Sequence, residues 1–446
     1  MANTYLTRSK SSPTSDKKGT ISFWIKRSDT TSEQATIVSG GGSIDSNIFF
    51  DTSSRLNVYD YQSGAYTFRY VTNRIFIDPA AWYHIVVRID TTDGTAGDRV
   101  KIYVNGVQET SFSTSTNPSQ NLTPLFFTNT YDFWIGSYRG SSGYTNGLYT
   151  HFHYTDGYAY DASTFGETDS TSGVWKPKVN PSVTYGTNGF FLKFENSGAM
   201  GTDSSGNSNT FAVGGGTLTQ NVDTPANNFI TINPLDNYYP ACTFSNGNTT
   251  VATGNNYSYC QSTIYLNKGK WYWEVKAVSK ASGADEFMIG IQGKSATGTN
   301  SAAQANNGIT YYKDGQTYGF GGGGQNYGNS YTVGDIIGVA LDCDNNKLYF
   351  SKNGTFQNSG VPTSGSTGTG ALAITDPNDV PQGGYSPVGG AYTNVSHTLS
   401  FNFGSGFFGT TAVASANADG NGFGAFEYSV PSGYYTINTK NLKEFG

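Results

Sequence analysis

Twice in this chain a strand-like apolar run ending in Asp is followed by a turn and a second run closed by Asn-Gly. The first copy reads Trp82-Tyr83-His84-Ile85-Val86-Val87-Arg88-Ile89-Asp90 and, after a polar loop, Lys101-Ile102-Tyr103-Val104-Asn105-Gly106. The second reads Asp335-Ile336-Ile337-Gly338-Val339-Ala340-Leu341-Asp342 and then Lys347-Leu348-Tyr349-Phe350-Ser351-Lys352-Asn353-Gly354. Alternating apolar residues define one buried face per strand, and Asn-Gly accepts the positive φ angles of a tight hairpin turn. The pattern predicts an all-β chain of two β-sandwich (jelly-roll) domains in tandem, over residues 1–222 and 223–446.

Composition supports strands over helices. Only 13% of the 446 residues are charged and 15% are aromatic, with 57 Gly; an ordinary soluble chain is about 25% charged. Polarity comes from Ser, Thr, Asn and Gly, which favour turns, while the Tyr, Phe and β-branched residues can build a core. The Gly214-Gly215-Gly216, Asp223-Thr224-Pro225 and Asn233-Pro234 runs mark the boundary region. Net charge is −6 without a basic stripe, so no nucleic-acid partner is expected. No apolar run reaches membrane-spanning length, and the polar first residues lack the apolar segment of a secretory signal. Cys242, Cys260 and Cys343 cannot make a disulfide framework. Free, half-buried thiols are expected, with a Cys242–Cys260 bridge the alternative if the two flank a hairpin.

The alternation names the core. Ile21, Phe23 and Ile25 share a face, as do Tyr83, Ile85, Val87 and Ile89 with Val100, Ile102 and Val104. Trp271, Trp273, Val275 and Ala277 form a third set, and Ile337, Val339 and Leu341 with Leu348 and Phe350 a fourth. No amphipathic helix longer than about two turns is read; Ala162–Glu167 offers one short turn.

Several constellations bear on chemistry. Glu167-Thr-Asp169 is the nearest approach to a glycosidase carboxylate pair, but the second Glu is missing and the segment reads as a polar loop. His151-Phe-His153 sets two imidazoles on one strand, with Asp156 near, which a metal can use; a polar strand face explains them as well. His84 reads as a hydrogen-bonded strand histidine. Gly319-Phe-Gly-Gly-Gly-Gly324 matches a phosphate-loop spacing, yet no helix follows it, so it reads as a surface loop. Tyr138, Arg139 and Tyr144, and separately Tyr311, Tyr312 and Asp314, place rings beside polar groups, the combination that sugars require and that protein interfaces also use.

Three resemblances follow from the residues. Phe23-Trp24-Ile25-Lys26-Arg27, the Trp82–Val87 run and Lys101–Gly106 resemble the concanavalin A-like, laminin-G-type jelly roll. Asp203-Ser-Ser-Gly-Asn207-Ser-Asn209 resembles a turn of that fold, placed unusually late, which implies a permuted or late-closing strand. Lectins of this fold hold calcium with hard oxygen ligands, so Asp203, Asn207 and Asn209 become a candidate calcium set, with Asp93 and Asp98 a second pair; Asx-rich turns bonding their own backbone are the alternative. Gly269-Lys-Trp271-Tyr-Trp273-Glu274-Val275, Ile289-Gly-Ile291, Tyr318-Gly319, Val333–Val339, Leu348–Gly354, Tyr385-Ser-Pro387 and Phe401–Gly404 resemble a SPRY domain. Finally, the Met1–Arg8 start, the Gly166–Lys178 segment and the Ile437–Leu442 ending look like virion proteins of aquatic tailed bacteriophages. That resemblance implies a non-enzymatic virion surface protein, a fibre or spike, that binds host-surface polysaccharide. The rival expectation is a capsid-decorating or appendage protein that touches only other virion proteins; a depolymerase ranks last. Either role implies assembly in the host cytoplasm and a homo-oligomer.

Overall fold

The computed structural model describes residues 3–236, 241–254, 258–281, 286–293, 308–319, 322–392 and 396–446. Residues 320 and 321 of the glycine run lie outside them. The chain divides into two compact units, Met1–Gln220 with Thr224–Ala226 and Asn221–Asp223 with Asn227–Gly446. Among the described residues, no helix is long and apolar enough to cross a membrane.

The first unit is a sandwich of two antiparallel sheets. Its strands begin β1 (Tyr5–Arg8), β2 (Lys18–Arg27), β3 (Gln34–Gly41), β4 (Ile44–Phe50), β5 (Arg55–Gln62), β6 (Ala65–Ile75), β7 (Trp82–Asp90) and β8 (Val100–Val104). They continue with β9 (Val107–Gln108), β10 (Phe112–Thr116), β11 (Phe133–Ile135), β12 (Gly147–Asp156), β13 (Gly166–Thr168), β14 (Trp175–Pro177), β15 (Phe190–Leu192) and β16 (Ala212–Gly214). One sheet has the order β10-β6-β5-β4-β3-β11-β1-β16 and the other β15-β12-β2-β7-β8-β9. Ile21, Phe23, Ile25, Ile85, Val87 and Ile89 fill the space between them, as their alternation requires. Each such side chain contributes about 1.5–3 kcal/mol by leaving water. The late strands are real: β15 extends one sheet beyond β12, and β16 pairs with β1 at the end of the other.

The second unit repeats the architecture with a different order. Its strands begin β17 (Thr243–Ser245), β18 (Thr250–Ala252), β19 (Tyr259–Gln261), β20 (Lys270–Lys280), β21 (Phe287–Gln292), β22 (Gly308–Tyr312) and β23 (Gln316–Gly319). Then come β24 (Gly322–Asn326), β25 (Ile336–Asp342), β26 (Lys347–Lys352), β27 (Thr355–Phe356), β28 (Leu372–Ala373), β29 (Ser386–Ala391) and β30 (His397–Asn402). One sheet runs β17-β18-β30-β20-β25-β26-β27, with β28 also on β26, and the other β19-β29-β21-β22-β23-β24. Trp271, Trp273, Val275, Ile337, Val339 and Phe350 are among the buried residues between them. The glycine run expected to be a loop instead supplies β24, which pairs with β23. Its backbone pairs there along the sheet edge.

The twin hairpins share their detail. Asn105 and Gly106 have φ 49° and 83°, and Asn353 and Gly354 have 49° and 81°. In each, the Asn side-chain oxygen accepts a backbone N–H from the neighbouring strand, His84 at 2.8 Å and Ile336 at 2.9 Å. Asn is therefore selected twice over: for its tolerance of left-handed φ and for an acceptor that secures the adjacent strand.

Beyond β30 the chain crosses the outer face of the β20-β25-β26 sheet and ends in helix α1 (Thr439–Phe445), capped by the Asn438 side chain. Tyr272, Ala340 and Tyr349 on that face pack against Phe426 and Tyr434 of this strap. Glu274 anchors it. Its carboxylate is fully buried and accepts the N–H groups of Glu427 at 2.9 Å and Tyr428 at 2.8 Å.

Candidate functional site

A polar-aromatic cluster lies on the outward face of the first unit's larger sheet. Register places Thr7, Trp134, Val38, Asn47, Tyr59 and Arg69 on one rung across six strands. Neighbours two residues apart project to the same side, so Asp45 and Phe49 on β4 and Asn57 and Tyr61 on β5 join them. The sequence alternates accordingly: Ile48, Phe50, Leu56 and Val58 point inward while these polar and aromatic residues point out. An outer apolar patch of Ala35, Val38 and Phe49, packed by Tyr59, Trp134 and Tyr138, supports them.

The loop after β11 closes over this face. Tyr138 bonds back to Ser142, its N–H meeting the carbonyl at 2.8 Å. Arg139 adopts φ 53°, costly for a residue with a side chain, and lays its guanidinium 4.6 Å over the Tyr138 ring. One guanidinium nitrogen donates to the Gly42 carbonyl at 3.1 Å and another to the Tyr138 hydroxyl at 3.1 Å. Asp45, only 5% exposed, accepts the Tyr59 hydroxyl at 2.7 Å. Burial raises its pKa, opposed by Tyr59, Arg139 and Tyr138. Burial and the bond to Asp45 likewise raise that of Tyr59. Asn47 is 2% exposed; its amide oxygen and the Nε of Arg69 are buried without a hydrogen-bond partner. The Arg69 guanidinium sits 4.7 Å over the ring of Tyr66, which keeps 44% of its surface exposed.

Of the residues named from sequence, Tyr138 and Arg139 thus meet in a built site. Tyr144 belongs to the same loop, its hydroxyl turned onto the Gly140 carbonyl. Asp45, Asn47, Tyr59, Tyr66 and Arg69 were not anticipated. Their signal was the polar phase of the β4 and β5 alternation, which marks an outward face but not what gathers on it.

The second-unit set divides. Tyr311 is fully buried, stacked on Phe350 with ring centres 5.4 Å apart, its hydroxyl donating to the Asn329 carbonyl. It is a core residue, contrary to the sequence expectation, because strand alternation turns it inward and Tyr312 outward. Tyr312 packs edge-on against Tyr318 and Tyr392 at 5.4 and 5.9 Å. The Asp314 carboxylate accepts the Gln316 N–H within its own turn.

The candidate calcium ligands are engaged within the protein. Asp203 accepts the N–H groups of Phe191, Ser205 and Asn209, each at 2.8 Å. Asn207 and Asn209 donate their amides to the Gly189 carbonyl at 2.9 and 2.8 Å. The Asn209 side-chain oxygen faces the Arg8 guanidinium, a cation already in place. Asp203 spends its oxygens on neighbouring backbone, as acids of Asx-rich turns do. Asp93 accepts the Thr95 N–H, and Asp98 pairs with Lys101 at 3.0 Å.

The histidines form a packed cluster instead of a metal centre; among the described residues no group of three or more His, Cys, Asp or Glu could hold an ion. A bulge in β12 between Thr150 and His153 puts His151 at φ 47°. His153 is buried, stacked on Phe191 at 3.9 Å, with its Nδ1 2.9 Å from the Tyr185 hydroxyl. His84 is bonded as expected: Trp175 Nε1 donates to its Nδ1 at 3.0 Å and Ser22 Oγ lies 2.9 Å from Nε2. Burial lowers the pKa of His84 to about 3 and, aided by Lys193, that of His151 to about 4. Glu167 and Asp169 both face Lys176, at 3.8 and 2.8 Å. The three cysteines form no disulfide and are buried, more so than anticipated.

Fold and site together define a protein of two β-sandwich modules, the first of which carries a polar-aromatic sheet face. The modules are recognisable. Residues 2–159 match the concanavalin A-like lectin/glucanases superfamily and residues 270–375 match the SPRY domain. The chain therefore carries an N-terminal concanavalin A-like, laminin-G-type domain and a C-terminal SPRY domain. Curated relatives reflect the SPRY part alone. The chain is 34% identical over 88 residues to Ran-binding protein 9 of Danio rerio, covering 19% of this chain and 14% of that protein. It is 34% identical over 103 residues to ATP-dependent RNA helicase DDX1 of Xenopus laevis, covering 21% and 12%. Among solved structures, the SPRY domain of human HERC1 aligns at 19% identity and TM-score 0.30, covering 38% of this chain and 96% of that one. The TRIM65 PSpry domain aligns at 16% and 0.27, covering 39% and 91%.

Proposed function

We propose that this is a non-catalytic, carbohydrate-binding surface protein, a fibre, spike or similar appendage of a bacteriophage virion that engages host-surface glycans. The observation that carries the binding role is the rung through Trp134, Asn47, Tyr59 and Arg69 with Asp45 beside it, where rings and hydrogen-bonding groups share one outward face. Sugars require that pairing of flat apolar surface and directed polar groups.

The non-catalytic part rests on the carboxylates. Hydrolysis of a glycosidic bond takes two acids flanking one bond. Asp45 is not paired with the acid nearest it in register, because Asp60 on the neighbouring strand points inward and accepts the Leu125 N–H at 2.9 Å. The virion setting rests on the resemblance of the Met1–Arg8, Gly166–Lys178 and Ile437–Leu442 segments.

A glycan array probed with the full chain, paired with a pull-down on host cells, tests the reading. Binding to a host polysaccharide that releases no reducing ends is expected. Failure to bind any glycan, with or without calcium, would sink it and favour a protein that contacts only virion components; imaging intact particles would then place it flush on the shell.

A further inference from the structure

We infer that Cys242 and Cys260 are a dithiol–disulfide couple, which a small-molecule disulfide closes into a bridge that staples together the two sheets of the second unit. The inference stands apart from the carbohydrate reading and uses none of its residues.

Topology sets the two cysteines on opposite sheets. Cys242 immediately precedes β17, which ends one sheet, and Cys260 lies within β19, which ends the other. Their side chains meet between the sheets. Both belong to one buried apolar cluster, and their sulfur atoms share a hydrogen bond. Cys242 Sγ also lies 3.2 Å from Ser258 Oγ, which accepts the Gly254 N–H at 2.9 Å. Ser258 and Cys260, two residues apart on an extended run, turn to the same side and so flank the Cys242 sulfur together. Cys343 is the internal comparison. It is 5% exposed, against 4% for Cys242 and 1% for Cys260, but its sulfur faces the Leu266 carbonyl at 3.7 Å. Burial treats the three thiols alike; adjacency singles out two.

Cys242 is the attacking group. The bond to Cys260 lowers its pKa against the effect of burial, aided by the Ser258 hydroxyl and the Gly254 N–H, whereas burial raises the pKa of Cys260. The Cys242 thiolate attacks one sulfur of the small disulfide, breaking that S–S bond, and a mixed disulfide forms as one small thiolate leaves. The Cys260 thiolate then attacks the Cys242 sulfur, the internal bridge forms and the second small thiolate leaves. The two leaving thiolates take up the two cysteine protons, so the protein gives up two electrons and two protons and the small disulfide gains them. Closing residues 242–260 into a loop restricts the unfolded chain, so the second unit is more stable in an oxidising medium than in a reducing one.

The full chain, held in glutathione buffers from fully reduced to mostly oxidised, tests the couple. Urea just below the unfolding transition speeds the local opening that admits the oxidant. Once the thiol count is constant, the chain is alkylated and peptide-mapped, and a parallel sample is freed of urea and melted. Oxidised buffers should give one crosslinked peptide joining Cys242 to Cys260, with Cys343 alkylated. The second unit's melting transition should rise by about 5–10 °C, and dithiothreitol should reverse the rise. Cys260→Ser should abolish the rise and Cys343→Ser should keep it. Both positions are buried, so if either variant fails to fold, the peptide map of the unaltered chain decides. Three alkylated cysteines in the most oxidised buffer overturn the inference, as does glutathione left on Cys242 without a bridge, or a bridge that includes Cys343. A Cys242–Cys260 bridge that leaves the melting transition unmoved overturns its role as a staple.

Discussion

Glu274 offers a sharp test of what holds the C-terminal strap in place. Its carboxylate is fully buried and no cation is among its partners. One oxygen accepts Tyr428 N–H at 2.8 Å and the Tyr272 hydroxyl at 3.1 Å; the other accepts Glu427 N–H at 2.9 Å and the Asn402 amide at 3.4 Å. Burial raises its pKa from 4.5 to about 7, with the four donors opposing the rise. Glu274→Gln keeps the shape but turns one acceptor into a donor facing a backbone N–H, at a cost of about 1–3 kcal/mol. A domain of this size then melts about 3–10 °C lower. The pH dependence follows from the raised pKa. The folded state holds the proton more tightly, so this group's stabilisation is full below about 4.5 and is lost as pH rises through about 7. Between pH 5 and 8 the unaltered protein loses about 2 kcal/mol through this carboxyl, and the glutamine variant does not. Calorimetry on both proteins should show their gap narrowing as pH rises. A gap that widens would mean that the four donors outweigh burial, refuting the reasoning.

The histidine cluster should respond to pH in the opposite sense. Trp Nε1 is only a donor, so the Trp175 bond fixes His84 with a bare Nδ1, and protonation there breaks the bond. The lowered pKa values of His84 and His151 mean stability that is full above about 6.5 and lost as pH falls towards 3 and 4. Acid should therefore lower the melting transition of the first unit, and His84→Phe should blunt that slope. Gly106→Ala should cost more than Gly64→Ala in a thermal melt, about 1 kcal/mol apart or more. Both have positive φ, but a Cβ at 106 would lie 2.9 Å from the Trp175 ring and one at 64 would meet nothing within 4 Å. Tyr311→Phe should cost about 1 kcal/mol in urea unfolding and leave glycan binding untouched, since only a buried hydrogen bond is lost. A chelator should leave the melting temperature unchanged, and Asp203→Ala should lower it, because that carboxylate serves three backbone donors in place of an ion.

The sequence makes the scaffold legible because a strand's side-chain period is short and local. Ile21, Phe23 and Ile25, or Trp271, Trp273 and Val275, declare their shared face within five residues, and Asn105-Gly106 and Asn353-Gly354 declare their turns in two. Composition alone misassigned Tyr311, because a ring beside polar neighbours reads alike whether it points in or out. Only the register with β21 and β23 places Tyr311 over Phe350 and Tyr312 against Tyr318.

The binding face was hidden for a different reason: it is a product of strand order. Strand β11 inserts between β1 and β3, although it is far from both in the chain. That insertion brings Trp134 beside Val38, and the loop that follows carries Tyr138 and Arg139 onto Asp45 and Tyr59. No local window contains Arg139 and Asp45 together, so no pattern of spacing could have joined them. Once the order is known the chemistry follows from alternation alone. The residues of β4 and β5 that do not fill the core must stand on the outer face, and there they include an amide and a carboxyl that burial leaves dependent on hydrogen-bonding partners.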